Sequence, residues 1–199
     1  YKFNRLDNFN ILIAWRDVRF FDYDFKAKKK YLWLHDIQNG LEFTPDRVSR
    51  IDKVFFLSKW HYESNYELKK NLPESKVFYT TNGIPDDGTV TPLSRNPKRV
   101  VHTSSPDRGL EHLVEMWPDV KKEVPDAELH VFYGFQLFDR FYGNNPSSMG
   151  WKKKLVDDMA KCGIVDHGRV SQPELKKFME ESGIWAYTTH FGEINCISA

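Results

Sequence analysis

Short apolar runs rich in Val, Ile, Phe and Tyr alternate with charged stretches of helical character along the chain, the rhythm of strands and helices in an α/β protein. In the first part the pattern predicts strands over Asn10–Trp15, Lys30–Leu34, Lys53–Ser58 and Lys76–Thr80, each followed by a polar turn. Their unbroken apolar character reads as buried parallel strands. Helices are expected over Pro45–Ile51 and Lys59–Asn71, the latter behind Ser58 as N-cap. Asp86–Lys98 is rich in turn formers and reads as a linker. The rhythm then restarts with strand Arg99–Thr103, helix Leu110–Val120, strand Glu128–Tyr133, helix Trp151–Lys161, strand Ile164–Arg169, helix Pro173–Glu181 and strand Ile184–Thr188. Gln136–Gly150 is polar and reads as an inserted surface loop.

The expected organisation is therefore a Rossmann-like unit over residues 1–85, a linker over 86–98 and a second unit over 99–199, facing each other across a cleft. Open parallel sheets bind ligands beyond the carboxyl ends of their strands, so candidate residues are sought there.

Composition narrows the class. The 199 residues are 40% hydrophobic and 29% charged, with 29 basic against 28 acidic side chains, which excludes collagen-like, coiled-coil and disordered chains. A net charge of +1 provides no overall field for nucleic acid. Cys162 and Cys196 lack a CxxC companion, so no zinc site or disulfide framework is expected, and a reducing compartment fits. No apolar run approaches the length of a membrane span, and no leader-like segment precedes Asn10. The basic run Lys26–Lys30 is a candidate for peripheral membrane contact; the alternative is a solvated sheet edge.

Four segments follow strands and carry polar chemistry. His35 stands beside Asp36, either as a ligand contact or as a histidine satisfied in a turn. Asn82-Gly83 forms a turn at the domain junction, with Gly83 suited to a positive φ. In Thr103-Ser104-Ser105-Pro106-Asp107-Arg108-Gly109, hydroxyl residues, an arginine and a glycine open a helix, an arrangement suited to phosphate; a capped helix with a solvated arginine is the alternative. Around Glu193, with Asn195, Cys196 and Ile197, a carboxylate can accept from sugar hydroxyls while the following N–H groups meet phosphate; it can equally answer a helix dipole. No GxGxxG opens either unit, which argues against a dehydrogenase.

These residues resemble the GT-B glycosyltransferases, specifically the large retaining group called family 4. Pro106-Asp107-Arg108-Gly109 is similar to that family's Pro-x-Lys/Arg-Gly turn, and His167-Gly168-Arg169-Val170 with Leu175 to its Gly-x-Val-x-x-x-x-Leu segment. Phe191-Gly192-Glu193 resembles the start of its Glu-x7-Glu signature, whose second glutamate would lie beyond Ala199. Leu34-His35-Asp36, Ser58-Lys59-Trp60 and Asn82-Gly83-Ile84 follow in the expected order, and Thr103 stands where the family often has an arginine. The chain resembles a middle piece of such an enzyme.

The resemblance implies that Ser104, Ser105, Arg108 and Gly109 hold a diphosphate and that Gly168, Arg169 and Val170 border the base. Asn195, Cys196 and Ile197 complete the donor site, with Glu193 and His35 at the reacting sugar. It implies a nucleotide-diphosphate sugar as donor and a glycan, lipid-linked or small-molecule acceptor. It further implies retention, no metal or other cofactor, and a cytoplasmic setting. A non-catalytic nucleotide-sugar or glycan-binding module of the same fold is the alternative.

Overall fold

A computed structural model describes residue 4, residues 7–83 and residues 94–195. Contacts divide the chain into two compact units: Tyr1–Asp86 with Glu193–Ile197, and Asp87–Gly192 with the last two residues. Among the described residues each contains a four-stranded sheet whose strands all pair in parallel.

In the first unit the strands β1 (Asn8–Trp15), β2 (Lys26–Trp33), β3 (Lys53–Phe56) and β4 (Val77–Tyr79) lie in sequence order. Helices α1 (Pro45–Ser49), α2 (Lys59–Ser64) and α3 (Tyr66–Asn71) connect the later strands. Alternate residues Ala14, Leu32, Leu34, Val54 and Phe56 share one core with Val48, Tyr62 and Leu68. On the opposite face Ile11, Ile13, Trp15 and Phe78 are exposed, so these strands are buried on one side only rather than on both. Tyr31, Phe55 and Phe78 form a ladder across that second face, with ring centroids 5.2 Å apart at each step.

Two expectations for this unit change. The single helix over Lys59–Asn71 is two, because buried Asn65 turns its side chain into the fold: its Oδ1 accepts from Gln38 N at 2.6 Å and its Nδ2 donates to His61 O at 2.6 Å. Along the basic run Lys26–Lys30, β2 pairs with β1, and its ladder to β3 begins only at Tyr31, which fits the alternative of a sheet edge. Successive lysines there point to opposite faces, and Lys29 meets Asp52 at 3.2 Å. Gly83 is not among the glycines with positive φ. Its neighbour Asn82 is held instead by Asn195, donating through N to Oδ1 and through Nδ2 to O, both at 3.0 Å.

The second unit has strand order β7-β6-β5-β8: β5 (Asn96–His102), β6 (Glu128–Val131), β7 (Val165–Asp166) and β8 (Ser182–Trp185). Helices α4 (Leu110–Glu123), α5 (Gln136–Tyr142) and α6 (Pro146–Lys161) cover one face, where Leu113, Trp117, Leu129, Phe138 and Leu155 form the core. Helix α7 (Gln172–Glu181), capped by Ser171, brings Phe178 against His130 and Phe132 of the other face.

Gln136–Gly150 is not a loop. Phe138 is buried and anchors α5, while Asn145 caps α6 through Ser148 N with Pro146 in its first turn. Strand β5 begins within the stretch read as linker; residues 84–93 lie outside the described residues. The strand expected over Ile164–Arg169 ends at Asp166, because Asp166 Oδ1 accepts from Gly168 N at 2.8 Å and Gly168 takes φ +64.

Candidate functional site

All the expected residues of the second unit that the structure describes lie at the carboxyl edge of its sheet. Ser104, Ser105, Arg108 and Gly109 follow β5, and Gly168, Arg169 and Val170 follow β7. Between them in space runs the turn after β6, where Tyr133 adopts φ 93 and Gly134 φ 69. A left-handed aromatic residue is strained, and such strain is held where the surrounding structure demands a shape. A Cβ on Gly134 would stand 3.2 Å from Arg169 N, so the two loops are in close register.

After β5 the chain turns tightly, with Arg108 N donating to Ser105 O at 2.8 Å. Gly109 takes φ +86 and its carbonyl accepts the first bonds of α4, from His112 at 3.2 Å and Leu113 at 3.5 Å. No side chain caps this helix, so its first N–H groups lack a side-chain acceptor. The Arg108 guanidinium lies 3.5 Å from the Phe191 ring centroid, a cation–π contact that orients a long flexible side chain. One loop thus presents a half-buried, fixed positive charge beside an uncapped helix start, which suits an anion.

Below this loop the packing is polar and tight. Trp185 Nε1 donates to Thr103 Oγ1 at 3.0 Å, so this hydroxyl serves the fold. His102 is fully buried, with Nδ1 3.2 Å from Ala186 O and no protein partner at Nε2. Burial pushes its pKa below the ordinary histidine value. A nearby groove of about 270 Å³, lined by Asp107, Glu111, Phe138, Ser147, Ser148 and Trp151, carries two carboxylates and is unsuited to a diphosphate.

In the first unit His35 follows β2 and sits among indoles, 5.7 Å from Trp15 and 5.0 Å from Trp33 by ring centroids. Its Nε2 and the Nε1 of Trp33 are both shielded from solvent without a protein partner. Burial first, and then the Arg16 charge, lowers the His35 pKa, so the ring is neutral near pH 7 and available to accept a proton. Asp36 does not pair with His35: its carboxylate meets Arg16 at 2.9 Å, and its carbonyl meets His61 Nε2 at 2.9 Å. Leu57 N donates to His61 Nδ1 at 3.2 Å, which fixes the tautomer with the proton on Nε2. This buried imidazole ties the loop after β2 to the start of α2.

Glu193 is exposed and, with Asn195, belongs to the segment that groups with the first unit. Asn195 spends its Oδ1 and carbonyl on Asn82, and Ser58 Oγ donates to Ile194 O at 2.7 Å. Cys196 and Ile197 lie outside the described residues. Among the described residues no three His, Cys, Asp or Glu side chains converge as metal ligands, and no helix is long and apolar enough to cross a membrane. Sequence reading missed Phe191 as the partner of Arg108, and the pair His130–His167, whose members follow no ligand spacing.

Two parallel, Rossmann-like α/β units of this kind define a fold of the GT-B type, and solved glycosyltransferases share it. No family model matches the sequence, and no curated protein matches it. Among solved structures, TarM superposes with a TM-score of 0.63 at 17% identity over 94% of this chain and 38% of its own. A mutant of S. aureus TarM, in complex with fondaparinux, α-GlcNAc-glycerol and UDP, gives 0.56 at 14% identity, covering 82% of this chain and 32% of that one. The pneumococcal O-GlcNAc transferase GtfA, with UDP and GlcNAc, gives 0.51 at 13% over 83% and 34%. The chain thus spans about a third of the length of these neighbours.

Proposed function

We propose that this chain handles the sugar nucleotide in a retaining, metal-independent glycosyltransferase that moves a sugar from a nucleotide diphosphate to a hydroxyl. The observation that carries this reading is Arg108, seated on Phe191 at the uncapped start of α4. The fold is shared with proteins whose structures hold UDP, and a nucleoside diphosphate fits the charge of this loop.

In such a transfer negative charge builds on the departing diphosphate. A guanidinium and helix N–H groups fixed in advance stabilise that charge more than the ground state, and this lowers the barrier without a metal. Ser104 and Ser105 add hydroxyl donors, and Gly168, Arg169 and Val170 border the base. Glu193 holds sugar hydroxyls, and neutral His35 faces the reacting sugar. Departure and attack on the same face would give retention, with a glycan, lipid-linked or small-molecule hydroxyl as acceptor.

Thermal denaturation of the intact protein with UDP, GDP, ADP and their sugars tests binding and names the base, because a specific ligand raises stability by mass action. Arg108→Ala is expected to lower turnover by about 10²- to 10³-fold, as loss of a transition-state donor does. Near-normal sugar transfer by this variant would remove Arg108 from the site. A second reading, a non-catalytic nucleotide-sugar or glycan-binding module, is favoured by Thr103, whose hydroxyl is committed to Trp185. Nucleotide-sugar binding with neither transfer nor hydrolysis would select it.

A further inference from the structure

Beneath the loop of Gly168, Arg169 and Val170, two imidazoles share a hydrogen bond. His130 Nδ1 lies 2.9 Å from His167 Nε2, with the rings nearly parallel at 5.2 Å. His167 also stacks on Phe132 at 4.4 Å and 4°. Phe178 of α7 closes against both histidines, at 4.9 and 5.0 Å. On the far side His130 Nε2 meets Glu128 Oε2 at 3.4 Å, and Glu128 accepts from Arg99 Nε at 3.2 Å. Arg99 in turn reaches Glu181 of α7 at 3.6 Å and lies over Phe178. Asp166 and Glu174 are the remaining carboxylates acting on His167.

The chemistry of facing imidazoles limits the protons they can hold. In the neutral pair one N–H donates to the other ring's lone pair. N–H on both facing nitrogens would set donor against donor at 2.9 Å, and the bond would be lost. Burial, followed by the neighbouring His130, pushes the His167 pKa down.

The donor loop is built directly on this ring. His167 N donates to Val131 O at 2.9 Å, Gly168 follows in its left-handed turn, and Arg169 abuts the strained Tyr133-Gly134 turn. We propose that His130 is a positioning residue: its bond to His167 sets Gly168, Arg169 and Val170, and nucleotide binding weakens when that bond is removed. This rests on the reading that these three residues border the base.

The test measures UDP affinity of the intact protein at neutral pH by calorimetry, beside melting curves that confirm folding. His130→Leu should bind about five- to tenfold more weakly, the scale of one lost hydrogen bond. His130→Asn should keep near-normal affinity, because its amide N–H can donate to His167 Nε2. In both variants kcat should change little, since His130 touches no reacting atom. His130→Leu binding with the unsubstituted affinity, or His130→Asn binding as weakly as His130→Leu, would overturn the proposal. Hydrogen exchange at the amides of residues 168–170 reads positioning without nucleotide. Protection should fall in His130→Leu and persist in His130→Asn; equal protection in all forms overturns the proposal whatever UDP does. UDP binding to no form, with exchange following the expected pattern, would sink the donor reading and leave His130 as the residue that sets the loop.

Discussion

The hydroxyl of Thr188 donates to the carbonyl of Gly109 across 2.6 Å, and the Thr188 backbone fills the space where a side chain on Gly109 would begin. A Cβ there would stand 2.4 Å from the Thr188 carbonyl oxygen, and the backbone sits at φ +86. The loop carrying Arg108 is thereby pinned to the segment after β8 by contact that only glycine permits.

Gly109→Ala therefore combines a left-handed penalty with a backbone clash. The expected cost is about 2–4 kcal/mol, read as a lower denaturant midpoint with an unchanged slope. A substitution within about 0.5 kcal/mol of neutral would show that the two segments separate freely.

Phe191→Leu keeps an apolar side chain beside Arg108 and removes the ring beneath its guanidinium. Cation–π contact at a half-exposed site contributes about 0.5–1 kcal/mol, so UDP affinity should fall about two- to fivefold while stability is nearly unchanged. Unaltered affinity would mean that Arg108 needs no platform to be oriented.

His102 gives the fold a pH dependence of definite sign. Its pKa is depressed by burial, so as pH falls the unfolded chain takes up a proton first. The stability it contributes is complete above the ordinary histidine range and is lost as pH falls through that range toward the folded pKa. Urea denaturation at pH 7.5 and 5.5 should show a loss in acid that His102→Gln reduces. His35, His61 and His167, also depressed, supply the remainder. Parallel pH curves for the two proteins would exclude His102 as a contributor.

Asn82 donates two hydrogen bonds to Asn195 across 113 residues, within the first unit. Asn82→Ala removes only the bond from Nδ2 to the Asn195 carbonyl, and Asn195→Ala only the bond from Asn82 N to Oδ1, so each should cost about 1–2 kcal/mol and the double variant close to the sum. Losses below about 0.5 kcal/mol in both variants would show that the pairing contributes nothing.

Much of the architecture was legible because it is local. Alternating apolar runs fix β1–β6 and β8 to within a few residues, and Ser58 and Ser171 mark helix starts through their own side chains. The Pro106–Gly109 turn was equally readable, because a proline and a glycine before a helix fix a turn locally. Where local polarity misled, burial of a single side chain was the cause: Asn65 breaks one helix from inside, and Phe138 anchors another in a stretch that looks like loop.

The sequence by itself determined most of the strands and helices, that the sheets are parallel, and that the polar candidates stand at strand ends. Only the tertiary structure decided their partners: Phe191 beneath Arg108, Asn195 on Asn82, and His130 against His167. The reason is range. Propensity and periodicity act over a turn or a pleat, whereas these contacts join residues 37 to 113 positions apart, brought together when the sheets and their connecting segments pack.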